Sequence, residues 1–231
     1  ETTTVIADPH EIVNVYGLEG FNYMVRAAKQ TTLSIHYMLP SCVPATRLED
    51  SGAVVDAFDL QWPMADYRVP GLGEFMNYPG IFNKDEEALN KILLAQNMSK
   101  IIDGHAPSVR GAELNAYAAA GIKTDHECTT VKEMNDRLER GMYVQLRDGS
   151  ACHDLKNLIP AITPYNYRRC LLCSDDRQPR TILEQGHIDN HLRMLTAAGI
   201  DPVMSVCMGS LNVAECYRLD NRGALAPGKI A

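Results

Sequence analysis

The sequence has no apolar run of about eighteen residues, the length that a helix needs to cross a bilayer, so we expect no membrane partner. It also has no excess of positive charge, because 22 Lys and Arg residues are set against 29 Asp and Glu residues, for a net charge of −7. A nucleic-acid backbone requires a basic face, and we therefore expect no nucleic-acid partner. No secretory leader is visible before the first β-branched segment.

Two motifs that define other classes are absent. No G-x-G-x-x-G follows the first predicted strand, which argues against a dinucleotide-binding open sheet. The paired H-x-E and P-C-x-x-C motifs of the cytidine-type zinc deaminases are also missing, which excludes that fold.

Cysteine occurs without a pattern of disulfides or zinc ligands. Seven cysteines are an odd number, and the one C-x-x-C, at Cys170 and Cys173, lies in an apolar run. Alternation along a strand would point these two side chains to opposite faces. We therefore favour reduced, mostly buried thiols in a cytoplasmic protein over a thioredoxin-like or zinc-knuckle site.

The 231 residues are long enough for one large domain, and strand-like and helix-like segments alternate throughout. We predict an α/β fold, a (β/α)₈ TIM-like barrel with seven of its eight strands visible, and a doubly wound open sheet is the alternative. Thr130 and Glu133 predict a capping box, the longest helix is expected over 179–198, and another helix is expected over 202–217. The predicted strands cover residues 2–8, 33–39, 69–74, 100–103, 122–125, 143–146 and 169–173.

Polar residues follow the predicted strands, where a barrel of this kind holds its active site. Glu74, His105, His126 and Asp175 offer two carboxylates and two imidazoles, the ligands that hard or borderline divalent cations prefer. One histidine at a strand end is more often structural, but four such residues in nearly successive units favour a metal site. We assign structural roles to the other histidines inside strands or helices, which are His36, His153 and His191.

Several stretches resemble the adenine deaminase family of the metal-dependent amidohydrolase superfamily. They keep the family's order over most of the chain, and the glutamate of GLGE replaces the carboxylated lysine of many superfamily relatives. The stretches are TTTVIADPHEIVNVYG (2–17), MLPSCVPAT (38–46), GLGEFM (71–76), DGHAP (103–107), AGIKTDHECTT (120–130), LRDGSA (146–151), SDDR (174–177), GHID (186–189), LNVAECYRL and GALAPG.

The resemblance implies hydrolytic deamination of adenine, a small-molecule purine base, to hypoxanthine and ammonia. It implies two divalent metal ions, manganese or iron, with zinc as the alternative. Glu74 would bridge the two ions, and His105 and His126 would bind one of them. Asp175 would bind a metal and shuttle protons.

Other residues are candidates for the substrate pocket. Glu127 would protonate a ring nitrogen or hydrogen-bond the purine edge, and the alternative is that it only orients a neighbour. Asp8 and His10 are expected to touch substrate or an ion, with a structural Asp-Pro turn as the alternative. Arg147 and Ser150 are expected to line the pocket. A rim salt bridge is expected between Asp176 and Arg177.

The family's remaining two ligands form an H-x-H, and this sequence contains none. We therefore expect residues 1–231 to be a partial amidohydrolase barrel domain without its first strand, its C-terminal end leading to a missing small β-domain. Two alternatives stay open: another amidohydrolase acting on a cyclic amide or ureide, and an inactive fragment that binds no metal. We also expect a homo-oligomer.

Overall fold

A computed structural model describes residues 2–46 and 48–230 of the chain. The two ends of the predicted domain, residues 1 and 231, lie outside the described residues. Each predicted strand segment overlaps an observed strand, with bounds that differ by a few residues. The strands are β1 Thr4–Ala7, β2 Ser34–Tyr37, β3 Gly71–Phe75, β4 Ile101–Gly104, β5 Thr124–Asp125, β6 Tyr143–Arg147 and β7 Cys170–Cys173.

Helices separate most of these strands. They are α1 His10–Ala28, α2 Ala57–Ala65, α3 Tyr78–Phe82, α4 Glu86–Asn97, α5 Gly111–Ala119, α6 Val131–Leu138, α7 Leu155–Leu158, α8 Pro179–Gln185, α9 Ile188–Ala197, α10 Pro202–Gly209 and α11 Leu211–Cys216. No helix within residues 2–46 and 48–230 is both long enough and apolar enough to cross a membrane.

Every pairing between these strands is parallel. β1 pairs with β2, β3 pairs with β4, and β5, β6 and β7 form one sheet in that order. A single parallel bridge between Leu39 and Leu72 continues from β2 to β3. The parallel α/β class is therefore confirmed, while the closed eight-stranded barrel stays a prediction.

The chain divides into two compact units. The β1–β4 unit comprises Thr3–Lys123, and its strands contribute side chains with almost no exposure, such as Leu72, Phe75 and Ile102. The β5–β7 unit contains Thr124 and the described residues after it, together with Thr2. Its core consists of strand residues and the helix residues that pack on them, including Val144, Leu146, Cys170, Met134, Leu155, Leu195 and Met208.

The prediction of one helix over 179–198 is wrong. The structure has two helices there, α8 and α9, because Gly186 takes φ +94° and ends α8 with its N–H bonded to Ile182 O. With ψ at −175°, Gly186 has an extended conformation of positive φ that is essentially restricted to glycine and that cannot continue a helix. The helix predicted over 202–217 is also divided, at Ser210. The longest described helix is α1, with Gly17 non-helical inside it at φ +60°.

The predicted capping box at the start of α6 is confirmed. Thr130 Oγ1 accepts a hydrogen bond from Glu133 N, and the Glu133 carboxylate accepts one from Thr130 N. Both bonds satisfy backbone donors that a helix start leaves without an intrahelical partner. The helix start is therefore encoded locally, by two residues three positions apart.

This cap should contribute measurably to stability. Thr130→Ala should lower the free energy of unfolding by about 1 kcal/mol, because an N-cap hydroxyl typically contributes between about 0.5 and 2 kcal/mol. Thr130→Ser keeps the hydroxyl and should retain the wild-type value. Urea unfolding followed by circular dichroism measures both, and equal stability of the Ala and Ser variants would contradict the prediction.

Candidate metal centre

In the β1–β4 unit, a carboxylate and an imidazole from adjacent strands meet. Glu74 is near the end of β3, and His105 directly follows β4. His105 Nδ1 lies 3.3 Å from Glu74 Oε2. The β3–β4 register is regular at Leu72 and shifts before Phe75, which pairs with Gly104. Parallel pairing thus places two of the predicted metal ligands side by side.

Tyr117 of α5 fixes the backbone on both sides of this pair. Its buried hydroxyl donates to Phe75 O at 2.9 Å and accepts from His105 N at 2.9 Å. Phe75 follows Glu74 directly, so the phenol holds the backbone beside both predicted ligands. Sequence reasoning missed this residue, because a tyrosine in a helix carries no signal for such a contact.

Asp8 and His10 lie beside Glu74 in the same unit. Asp8 Oδ2 accepts a hydrogen bond from Glu74 N at 2.8 Å. Asp8 Oδ1 and His10 Nδ1 are buried, have no hydrogen-bond partner among the described residues and are 3.9 Å apart. One donor atom from each of Asp8, His10 and Glu74 lies within 4.8 Å of the others. Gly73 permits this approach, since a Cβ there would be 2.0 Å from Asp8 Oδ2.

Several acidic side chains lie near Asp8. Burial raises the pKa of Asp8 well above its usual value, and the charges of Glu74, Asp103 and Glu11 raise it further, while the bond from Glu74 N opposes the shift. A bound cation would offset this repulsion. The Asp8, His10 and Glu74 donors therefore fit a divalent ion by charge and by ligand type.

The β5–β7 unit contains a second group of candidate ligands. His126 and Glu127 follow β5 directly, and Asp175 lies two residues after β7. One donor atom from each lies within 4.8 Å of the others, and His126 Nε2 is 3.3 Å from Glu127 Oε1. Asp175 takes φ +52°, a conformation that non-glycine residues rarely adopt and that clusters at functional sites.

Arg147, predicted to line the pocket, is engaged by carboxylates. Its Nη1 donates to Glu127 Oε1 and to Asp175 Oδ2, the latter at 3.0 Å. Its Nε and Nη2 donate to Asp154 Oδ2 at 3.1 and 3.0 Å. Burial disfavours the charge, but the bonds to these carboxylates raise the pKa of Arg147 above its usual value. The guanidinium is therefore a fixed cation within this group.

A buried ion pair supports the His126–Glu127 segment. Arg137 Nε donates to Asp125 Oδ2 at 2.8 Å, and both side chains have no exposure. The other Asp125 oxygen accepts from Glu127 N at 3.0 Å. Asp125 thereby joins α6 to the backbone that carries two candidate site residues. Neither Asp125 nor Arg137 was assigned a role from the sequence.

The predicted salt bridge between Asp176 and Arg177 is wrong. The Asp176 carboxylate accepts from the N–H groups of Ser150 and Ala151, at 3.3 and 2.8 Å. Arg177 Nη1 instead pairs with Asp148 Oδ2 at 3.1 Å. Asp176 and Arg177 lie beyond the end of β7 and bind different partners, so adjacency in sequence was a poor guide to pairing.

The Ser150 side chain contacts the residues that follow Arg177. Its hydroxyl lies 2.9 Å from Thr181 Oγ1 and accepts from Gln178 N at 2.8 Å. The role predicted for Ser150 in the pocket stays a prediction. Asp154, the anchor of Arg147, was missed because an aspartate directly before a short helix indicates only an N-cap.

A family model described as the amidohydrolase family matches residues 1–231. The chain is 56% identical over 227 residues to adenine deaminase 2 of Desulfotalea psychrophila, covering 98% of this chain and 39% of that protein. It is 56% identical over 230 residues to an adenine deaminase of Nitratidesulfovibrio vulgaris, covering 100% and 40%. Identity to the adenine deaminase of Clostridium acetobutylicum is 52% over 226 residues, covering 98% and 40%. The chain thus spans about two fifths of the length of these relatives.

Two solved structures resemble the chain. A 5-methylcytosine deaminase from Klebsiella pneumoniae, liganded with phosphonocytosine, has a TM-score of 0.52 and 15% identity, covering 99% of this chain and 62% of that one. A crystal structure of an amidohydrolase has a TM-score of 0.59 and 13% identity, covering 99% and 67%. At these identities the likeness shows the fold alone, the TIM-barrel fold of the amidohydrolases.

The Asp125–Arg137 pair gives a test of how the candidate site is supported. Asp125→Asn should lower the free energy of unfolding by about 3–5 kcal/mol, because it leaves a buried guanidinium without its counter-charge. Asp136→Asn removes an ion pair with the exposed Lys132 and should cost less than about 1 kcal/mol. Urea unfolding of the two variants measures the difference, and losses of similar size would contradict the assignment.

Proposed function

The chain belongs to the amidohydrolase family, and on that premise we propose that the protein hydrolyses adenine to hypoxanthine and ammonia. One observation carries the proposal: over nearly its whole length the chain is 52–56% identical to proteins named adenine deaminase. The arrangement of carboxylates and imidazoles after parallel strands supports it, since that is where such folds hold their catalytic groups.

We propose two divalent metal ions as cofactors, manganese or iron, with zinc as the alternative. Glu74, His105, His126 and Asp175 would hold them. The fit rests on donor chemistry: one imidazole–carboxylate pair in the β1–β4 unit, and an imidazole with two carboxylates in the β5–β7 unit. Bound divalent ions supply a nucleophile at neutral pH by lowering the pKa of water. That all four residues serve one centre stays a prediction.

The reaction exchanges a C–N bond for a C–O bond at C6 of the purine. Water adds to C6, and the amino nitrogen leaves as ammonia once it has gained a proton. Asp175 is proposed to take the water's proton and return it to the ring or to the leaving nitrogen. Its exposed fraction, 36%, leaves the carboxylate accessible for that exchange, while Arg147 holds one of its oxygens.

Glu127 is proposed to contact the purine ring edge. Arg147 Nη1 binds Glu127 Oε1, and such a charge-assisted bond stabilises the carboxylate and fixes its direction. This contact favours Glu127 as a hydrogen-bond acceptor over a role as proton donor. The same contact makes Arg147 a partner of the site carboxylates. We favour this role for Arg147 over direct binding of the substrate.

Asp8 and His10 are proposed to touch substrate or an ion. Their buried atoms without partners, Asp8 Oδ1 and His10 Nδ1, support this role because a buried polar atom left unsatisfied is costly. We also propose that Ser150 lines the substrate pocket.

Three further proposals concern the fold, the assembly and the cellular location of the protein. We propose that residues 1–231 are a partial amidohydrolase barrel domain that supplies seven strands of a (β/α)₈ barrel, supported by the parallel pairing, and we propose a homo-oligomer. We propose a cytoplasmic location, supported by seven cysteines that form no disulfide. Burial raises the pKa of Cys170 to about 12, which keeps this thiol protonated and unreactive.

The direct test is an ammonia-release assay on protein expressed from its complete reading frame and loaded with manganese or iron. Adenine should be converted to hypoxanthine with one ammonia released per turnover. Hydantoin and dihydropyrimidine should be poor substrates. Turnover of either one in preference to adenine would support another amidohydrolase activity instead.

Loss of one proposed ligand should remove both metal and activity. His126→Ala should lower bound metal and reduce adenine turnover by at least about tenfold, in line with the sensitivity of metal sites to their ligands. His153→Ala removes a half-exposed histidine that pairs with Asp148 and should keep wild-type metal content. Elemental analysis and the ammonia assay measure both variants. Full metal content in His126→Ala would show that His126 is no ligand.

A further inference from the structure

Asp154 is a largely buried acidic residue that neither the motifs nor the proposed chemistry uses. It precedes α7 as the N-cap residue, yet its side chain makes no capping hydrogen bond. An aspartate at an N-cap normally accepts a bond from its own helix. Here the carboxylate turns to Arg147 instead, and it accepts from both Nε and Nη2.

These two bonds determine where the rest of the guanidinium points. Nε and Nη2 form one edge of the planar group, and Asp154 Oδ2 binds both of them. The remaining nitrogen, Nη1, is then directed at Glu127 Oε1 and Asp175 Oδ2. Arg147 is only 5% exposed and Asp154 only 13%, so water competes little for these contacts.

The backbone brings Asp154 to this position. The chain reverses after β6, where Asp148 bridges His153, and Gly149 N donates to Cys152 O at 2.7 Å. Asp154 N then donates to Arg147 O at 3.1 Å. The arginine and its anchor are thus joined through backbone and side chain, within one short loop.

We propose that Asp154 is a positioning residue for the deamination, acting through Arg147 on Glu127 and Asp175. The inference rests on the proposed function for the reaction it serves. Without the Asp154 carboxylate, the guanidinium can rotate about its own side-chain bonds. Asp175 and Glu127 then lose the fixed donor that sets the direction of their oxygens, although no proposed metal ligand is removed from the chain.

The test is a double-mutant cycle with Asp154→Asn and Arg147→Lys in the metal-loaded protein. Asp154→Asn should lower kcat for adenine by about 10- to 100-fold, the range typical of groups that orient a metal site. KM should change by less than about threefold, and metal content should stay at the wild-type level. In the Arg147→Lys background, Asp154→Asn should have little further effect, because the group through which it acts is gone.

Two further variants separate positioning from folding. Asn and Ser are both good N-cap residues, so Asp154→Ser should show the same loss of kcat without destabilising α7. Asp136→Asn removes a carboxylate that pairs with the exposed Lys132, and this variant should keep kcat within about twofold of wild type. The visible absorption of the cobalt(II)-loaded proteins gives a readout that does not depend on turnover, and it should change in Asp154→Asn and not in Asp136→Asn.

Several results would overturn the inference. They are additive effects in the cycle, kcat within twofold of wild type in Asp154→Asn, and loss of metal in proportion to activity. A wild-type protein that binds cobalt but leaves adenine unchanged would contradict the proposed function alone. The cobalt spectra of the four cycle proteins would then decide the positioning role by themselves.

Discussion

Carboxylates that stand at the ends of parallel strands impose the main constraint on this molecule. Each one is wholly or partly removed from water, and a carboxylate in such a place must accept hydrogen bonds or lie beside positive charge. The chain meets this requirement in different ways. Asp8 accepts a backbone N–H, Asp125 binds Arg137, and Glu127 and Asp175 share Arg147.

These carboxylate groups differ in which of their atoms are hydrogen-bonded to other residues. Asp125 and Arg137 are both fully buried and bonded to each other, and the second Asp125 oxygen accepts from Glu127 N. In the Asp8 group, one oxygen of Asp8 and one nitrogen of His10 are buried and have no hydrogen-bond partner in the described part of the chain. The Asp125–Arg137 pair therefore holds the backbone of a site segment, whereas the Asp8 group has atoms that an ion or a substrate would bind under the proposed function.

Much of the fold could be predicted from the sequence. Alternating apolar and helical segments identified the parallel class, and the capping box at Thr130 marked a helix start, because these features depend on neighbouring residues. The division of 179–198 was missed, since the helical pattern continues across Gly186 and only its backbone angle ends the helix. The candidate ligands were predictable from residue type and strand position. Their supports, Tyr117 and Asp154, were not, because those contacts join residues that no local pattern relates.

The hydroxyl of Tyr117 forms hydrogen bonds with two backbone groups, one of them an acceptor and the other a donor. Phe75 O requires a donor and His105 N requires an acceptor, and only a group with both functions can satisfy them from one position. A phenylalanine of the same shape would remove both hydrogen bonds at once, one to β3 and one to the residue after β4. The ring fills space that many apolar side chains could fill, whereas the oxygen makes this position specific to tyrosine.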